Sequence, residues 1–200
     1  MTAKALEERS GRELDIIRSA YRMMSNLGSH RLTLQDVAAE AGVSKALIFY
    51  HFGTKEVLLH SAMQWALERT AERIRQRIEP AMTGVESVSA LIDAVFVDPE
   101  ANRDFYLFYL DLVEHAARVP RFGEFSAMLT EIINGLYREV IESGVDDGSF
   151  QVSDPDLAAR HMRALIEGTF LQWMQTEDWK DNHAAWRDDC RRTVLAILGP

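Results

Sequence analysis

The sequence predicts an all-α protein, a small N-terminal helix-turn-helix three-helix bundle continuous with a larger C-terminal helical domain, about nine helices in all. Three observations carry this expectation. Apolar residues recur at helical spacing along the whole chain, no alternation of apolar and polar residues lasts long enough for a strand, and helix-starting and helix-ending residues punctuate the chain at short intervals.

The first helix is expected over residues 7–27, where Leu14, Ile17, Tyr21 and Met24 form one stripe; Gly28, Ser29 and His30 end it. A short second helix starts at Thr33, because Thr33-x-x-Asp36 is a capping box in which each side chain satisfies a free backbone N–H of the other's turn. It stops at Gly42, which supplies a positive φ. A third runs from Ser44, a cap, to about His51. Gly53-Thr54 restarts the chain into a long fourth helix ending near Pro80. Further helices are expected over 85–97, 102–118, 122–142, 156–175 and 182–198. Breaks fall at Asp98-Pro99, at Val119-Pro120 and in the turn-rich stretch 143–154. There Asp154 caps the next helix, and Pro155 takes its first position, where a missing N–H costs nothing.

Bulk properties narrow the class. The chain has 200 residues, 47% of them apolar, enough for a sizeable core. A single cysteine, Cys190, excludes an internal disulfide. The first residues are charged and lack an apolar stretch, so no signal peptide is expected; the longest apolar run, 105–110, is far short of the roughly 20 residues that span a bilayer. A soluble, cytoplasmic protein without membrane contact is the expectation. The net charge of −9 is uneven: residues 1–60 carry +1 and residues 61–200 carry −10. Phosphate is repelled from most of the surface and tolerated only at the N-terminal part, which suits a protein touching DNA through one small face. An acidic, solubilising surface accounts for the same numbers.

Residues 33–52, TLQDVAAEAGVSKALIFYHF, hold the most specific signal. Val37, Ala41 and Val43 face the bundle with Leu34 beside them, and Ala38 is small enough for the next helix to cross closely. Two short helices meeting at a tight turn project the second one outward, where its N-terminal end can enter a major groove. The block from Leu32 to Leu59 resembles the DNA-binding domain of the TetR family of bacterial transcriptional regulators. It matches that pattern at Thr33, Val37, Ala38, Ala41, Gly42, Val43, Ser44, Ile48, Phe49, His51, Phe52, Lys55, Glu56 and Leu58. The resemblance implies a DNA-binding domain over 1–53 and an effector-binding and dimerisation domain over 54–200.

It also implies roles. Ser44 to Tyr50 become the recognition helix, with Lys45, Ala46 and Leu47 nearest the base edges and Thr33, Tyr50, His51 and Lys55 at positions that touch phosphates. Two positions depart from the pattern. Leu47 stands where Thr is frequent, favouring a thymine methyl over a hydrogen bond. Phe49 stands where Tyr is usual, removing one phosphate hydrogen bond; its ring suits the bundle interior and a DNA-facing surface equally.

In the C-terminal part, Phe105, Phe108, Tyr109 and Leu112 lie on one helical stripe. With Met128, Ile132, Phe170 and Trp173 they supply walls either for a plain core or for the cavity that the resemblance implies, holding a small hydrophobic effector. His115, with Asp111 and Glu114 nearby, would orient a polar end. The last two helices are expected to form the homodimer interface, through Ala164, Gly168 and Leu171 on one and Arg187, Arg191, Val194 and Leu198 on the other. One recognition helix reads too few bases, so a twofold pair with its heads about 34–36 Å apart, on a palindromic double-stranded operator, is expected. The chain lacks G-x-S-x-G, G-x-G-x-x-G, a P-loop, H-E-x-x-H and C-x-x-C, so no catalytic residue, metal or cofactor is expected. The expected function is a ligand-responsive repressor that a small effector releases from its operator.

Overall fold

A computed structural model describes residues 11–28, 31–78, 82–118 and 127–199, with the side chains at 25, 26, 115 and 116 excepted. The described residues are helical with no strand. The helices are α1 (Gly11–Leu27), α2 (Leu34–Ala41), α3 (Lys45–Phe52), α4 (Lys55–Arg77), α5 (Gly84–Val95), α6 (Pro99–Ala117), α7 (Gly135–Asp146), α8 (Pro155–Trp173) and α9 (His183–Leu198). None is long and apolar enough to cross a membrane.

The caps read from sequence are present. Thr33 and Asp36 form the reciprocal box, and Asp154 accepts from Leu157 N at 2.9 Å with Pro155 at the first helical position. Asp98-Pro99, expected as a break, works in the same way. Asp98 Oδ1 accepts from Ala101 N at 2.8 Å and Pro99 opens α6, so that helix begins three residues earlier than expected. A second capping box, Thr83 with Glu86, starts α5. The helix expected over 122–142 is differently built. Residues 122–126 lie outside the described residues, a π turn occupies Thr130–Asn134, and α7 then runs on to Asp146. A π turn inserts one extra residue per turn and shifts every later side chain around the axis, which a constant period does not register.

Two compact units emerge. The first comprises residues 1–68 and 104–126, the second 69–103 and 127–200, so α4 and α6 each contribute to both. In the first unit α1 packs on α2 and α2 on α3, around Ile16, Ile17, Ala20, Val37, Ala38, Ile48 and Phe52. Tyr21 of α1 meets Phe108 of α6 edge-on at 5.2 Å and Trp65 of α4 at 5.7 Å.

In the second unit α5, α7, α8 and α9 pack as a closed ring of neighbours. A close seam joins α5 to α7: a Cβ on Gly84 would overlap Gly144 Cα and stand 2.9 Å from the Phe150 ring. Gly84 N donates to Asp147 Oδ2 at 2.7 Å, which pins this approach.

Candidate nucleic-acid interface

The turn between α2 and α3 is made by Gly42, at φ 63° and ψ 36°, whose left-handed conformation closes the end of α2 while Val43 N donates to Ala38 O at 2.9 Å. Ser44, in extended conformation, then caps α3 by accepting from Leu47 N at 3.2 Å. Ile48, with no exposure, and Phe52, at 6%, hold α3 against the bundle. Their burial fixes which residues point out. Lys45 and Ala46 are exposed, Phe49 is 63% exposed and Tyr50 83% exposed. Phe49 therefore points outward and not into the bundle interior. Leu47 and His51 are half-buried along the edge of this face, with the His51 ring 5.3 Å from that of Tyr50.

Thr33 and Lys55 flank α3. Thr33 is exposed, but both its donors are engaged: its amide and its hydroxyl reach Asp36 Oδ2 at 2.9 and 2.7 Å. These hydrogen bonds, the side-chain one foremost, hold the Asp36 carboxyl below its ordinary value. A phosphate would take the Thr33 hydroxyl proton only in exchange for part of the cap. Lys55 is half-buried in the first turn of α4, which Thr54 caps by accepting from Val57 N at 3.2 Å.

The expected effector residues divide between the units. Phe105, Phe108, Tyr109 and Leu112 fall in the first, as does His115, whose side chain lies outside the described residues. Phe108 is fully buried, while Phe105 is half-buried and stacks parallel to Tyr109 at 6.4 Å. Met128, Ile132, Phe170 and Trp173 fall in the second unit. Phe170 stacks on Phe96 at 4.2 Å, and Trp173 is enclosed by Phe170, Trp179 and His183 with its Nε1 donating to Trp179 O at 2.6 Å. These two rings pack their own unit's interior.

The expected interface residues also divide. On α8, Ala164 is exposed and Gly168 and Leu171 are half-buried, all away from the buried stripe Ala159, Met162, Ile166, Phe170 and Trp173. Nothing lies within 4 Å of a Cβ placed on Gly168. On α9, Val194 and Leu198 are 0% and 1% exposed, inside the chain's own core, and Arg187 and Arg191 both pair with Asp93 of α5. On these two helices Ile197, one of the apolar repeats of the last helix in the sequence, is 47% exposed, and Leu157, which sequence reasoning did not select, is 40% exposed. Leu157 sits seven residues before Ala164, two turns along the same face, a spacing legible in the sequence.

Comparison with known proteins places this arrangement. Residues 16–62 match the family described as bacterial regulatory proteins, tetR family, and residues 84–199 match the family described as BetI-type transcriptional repressor, C-terminal. The chain is 27% identical over 191 residues to the HTH-type transcriptional repressor KstR2 of Rhodococcus jostii (strain RHA1), covering 95% of this chain and 90% of that relative. The structure of the fatty acid degradation regulator FadR from Bacillus halodurans is similar with a TM-score of 0.80 at 22% identity, covering 92% of this chain and 98% of that one. A transcriptional regulator from Saccharomonospora viridis, solved in complex with choline, is similar with a TM-score of 0.76 at 22% identity, covering 95% and 96%. With a capped, outward-facing α3 and family matches over both halves, this chain belongs to the TetR family of transcriptional regulators, with a C-terminal region of the BetI-type repressor family.

Proposed function

We propose that this protein is a repressor that binds a palindromic DNA operator as a homodimer in the cytoplasm and leaves it when a small hydrophobic effector binds. The observation that carries the reading is the outward face of α3: a helix capped at Ser44, anchored by Ile48 and Phe52, and presenting Lys45, Ala46, Phe49 and Tyr50 to solvent. In this reading Lys45, Ala46 and Leu47 approach base edges. Tyr50, His51 and Lys55 position the head on phosphates, with Thr33 and Ser44 chiefly ordering the two helix starts. The domain at 1–53 supplies this contact, and 54–200 supplies effector binding and dimerisation.

Effector contact is assigned to the apolar stripe of α6, foremost Phe105 and Tyr109, with Phe108 and Leu112 on the same stripe. Dimerisation is assigned to the outward face of α8, through Ala164, Gly168 and Leu171, continued on α9 by Ile197. Release requires only that the effector favour the DNA-incompetent state, and coupling of about 1–3 kcal/mol, or roughly 5–150-fold, suffices. The reading assigns no catalysis.

The test is an electrophoretic shift with labelled fragments flanking the protein's own gene, in the presence of competitor DNA, with sedimentation to count the subunits bound. A discrete shifted fragment carrying an even number of subunits is expected. Failure to retain any fragment above competitor, or binding as a monomer, overturns the reading.

A further inference from the structure

We infer that the start of α6 and the segment 179–183 form an acid-sensitive latch, held shut by a neutral His183 on Asn102 and opened when His183 takes up a proton. The latch holds the first turns of the helix to which effector contact is assigned above; that consequence rests on the proposed function, and the latch itself does not.

Three residues in the opening turns of α6 each hold a residue of the segment that leads into α9. Glu100 pairs with Lys180 at 2.8 Å, Asn102 Oδ1 stands 2.9 Å from His183 Nε2, and the Arg103 guanidinium lies 5.0 Å from the centre of the Trp179 ring. The three are unequal. Glu100 and Lys180 are exposed, so water competes with their attraction. Arg103 and Trp179 are half-buried. Asn102 and His183 are buried, at 6% and 8% exposed, so the hold of the latch rests on them. Its surroundings fit imperfectly. Arg103 Nε and Asn182 Oδ1 are buried with no hydrogen-bond partner among the described residues, and opening the latch returns both to water.

A proton works against this arrangement. Asn102 Nδ2 is spent on Val95 O at 2.8 Å, so Asn102 Oδ1 faces the imidazole and Nε2 carries the hydrogen. A second proton must enter at Nδ1, where the ring has no hydrogen bond among the described residues. The Phe96 and Trp173 rings stand 5.4 and 5.0 Å away in place of water. His183 is also the first residue of α9, whose N-terminal field repels a cation, and Asn182 before it makes no side-chain cap. Charged groups face the ring from two sides. Asp98 and Glu100, at the start of α6, favour the proton, with Lys180 paired to Glu100; Arg187, one turn along α9, opposes it; α8 contributes the Trp173 ring. Burial outweighs the two acids, so the enclosed ring holds a proton less readily than an exposed one. Acid therefore favours the open latch, in which the imidazole is charged in water.

The test is hydrogen–deuterium exchange of the full chain at about pH 7.5 and about pH 5, read by mass spectrometry as protection relative to the unfolded chain at each pH. Peptides covering 99–105 and 174–187 are expected to lose protection together by about tenfold. The ceiling is about thirtyfold, because the ordinary 6.5 lies about 1.5 units above pH 5. α7 is expected to keep its protection. His183→Gln, which retains a donor for Asn102 and does not titrate, is expected to show the same protection at both pH values. Asn102→Asp, which sets a carboxylate against the imidazole and so favours its proton, is expected to stay protected in acid, and it serves as the test if the glutamine variant does not fold. Unchanged protection in wild type, equal loss in His183→Gln, acid opening in Asn102→Asp, or loss over α7 at the same pH would overturn the inference. The measurement involves neither DNA nor effector, so its failure leaves the operator reading intact, and a failed operator shift leaves the latch standing.

Discussion

Gly84→Ala is expected to destabilise the protein through geometry alone. The added Cβ would fall inside the contact radius of Gly144 Cα, 2.9 Å from Phe150 Cε2 and 3.1 Å from Ser149 Cβ. The first of these neighbours is backbone. The second belongs to a ring only 3% exposed, and the Gly84 amide is tied to Asp147, so neither side can slide away cheaply. Overpacking of this kind costs about 1–3 kcal/mol, and a backbone neighbour places this site at the upper end. Replacing glycine also removes unfolded-state freedom, which offsets about 0.4–1 kcal/mol. The net loss is about 2 kcal/mol. For a chain of this size that lowers Tm by about 4–8 °C. The assay is thermal and urea unfolding followed by far-UV circular dichroism at fixed protein concentration. Gly135→Ala serves as the comparison, because a Cβ there meets nothing within 4 Å and its φ of −58° suits any residue. Gly135→Ala should equal or exceed wild type. If Gly84→Ala melts with wild type, or both variants fall together, the argument from close approach fails.

Three further outcomes are expected. Gly42 also has open space around it, so Gly42→Ala meets no clash and loses only the left-handed conformation, about 1–2 kcal/mol; Gly42→Asn should recover part of the urea midpoint, and equal midpoints for all three would refute this. Lys55→Ala should weaken binding to every duplex alike and reduce the salt slope of affinity by about one unit; an unchanged slope removes Lys55 from the phosphate contacts. The third concerns His183. Its Nε2 stands 2.9 Å from Asn102 Oδ1, and since Asn102 Nδ2 donates to Val95 O, the imidazole supplies the proton as a neutral ring. Burial lowers its pKa from the ordinary 6.5, outweighing the attraction of Asp98. The unfolded state therefore takes up this proton first: the stabilisation is present above pH 6.5 and lost as pH falls through the lower folded value. The urea midpoint should fall more steeply from about pH 7 to about pH 5 in wild type than in His183→Gln, and parallel profiles would refute the assignment.

Helix starts were the most legible feature because they depend on contacts within four residues. Thr33 with Asp36, Ser44, and Asp154 with Pro155 all cap as their spacing implies. The reading face of α3 was legible only in part. Ile48 and Phe52 declare themselves as core, but the orientation of Phe49 depends on how α3 lies on the bundle, which local pattern does not encode. The π turn at Thr130–Asn134 has no compositional mark.

On α9 the difficulty was of another kind. Apolar residues occupy two faces, so Cys190, Val194 and Leu198, which point inward, read like Ala184 and Ile197, which point outward. Periodicity reveals that a helix is apolar on a side without saying what covers that side.

The separation on α9 matters for anyone wishing to rewire such regulators. Side chains that hold the fold together and side chains left facing outward are different sets: Val194, Leu198 and the two arginines on Asp93 belong to the first, Ile197 and the small residues of α8 to the second. Under the dimerisation proposed above, matched pairs that recognise each other and ignore the parent could be engineered by editing only the latter set, without reopening the problem of making each chain fold.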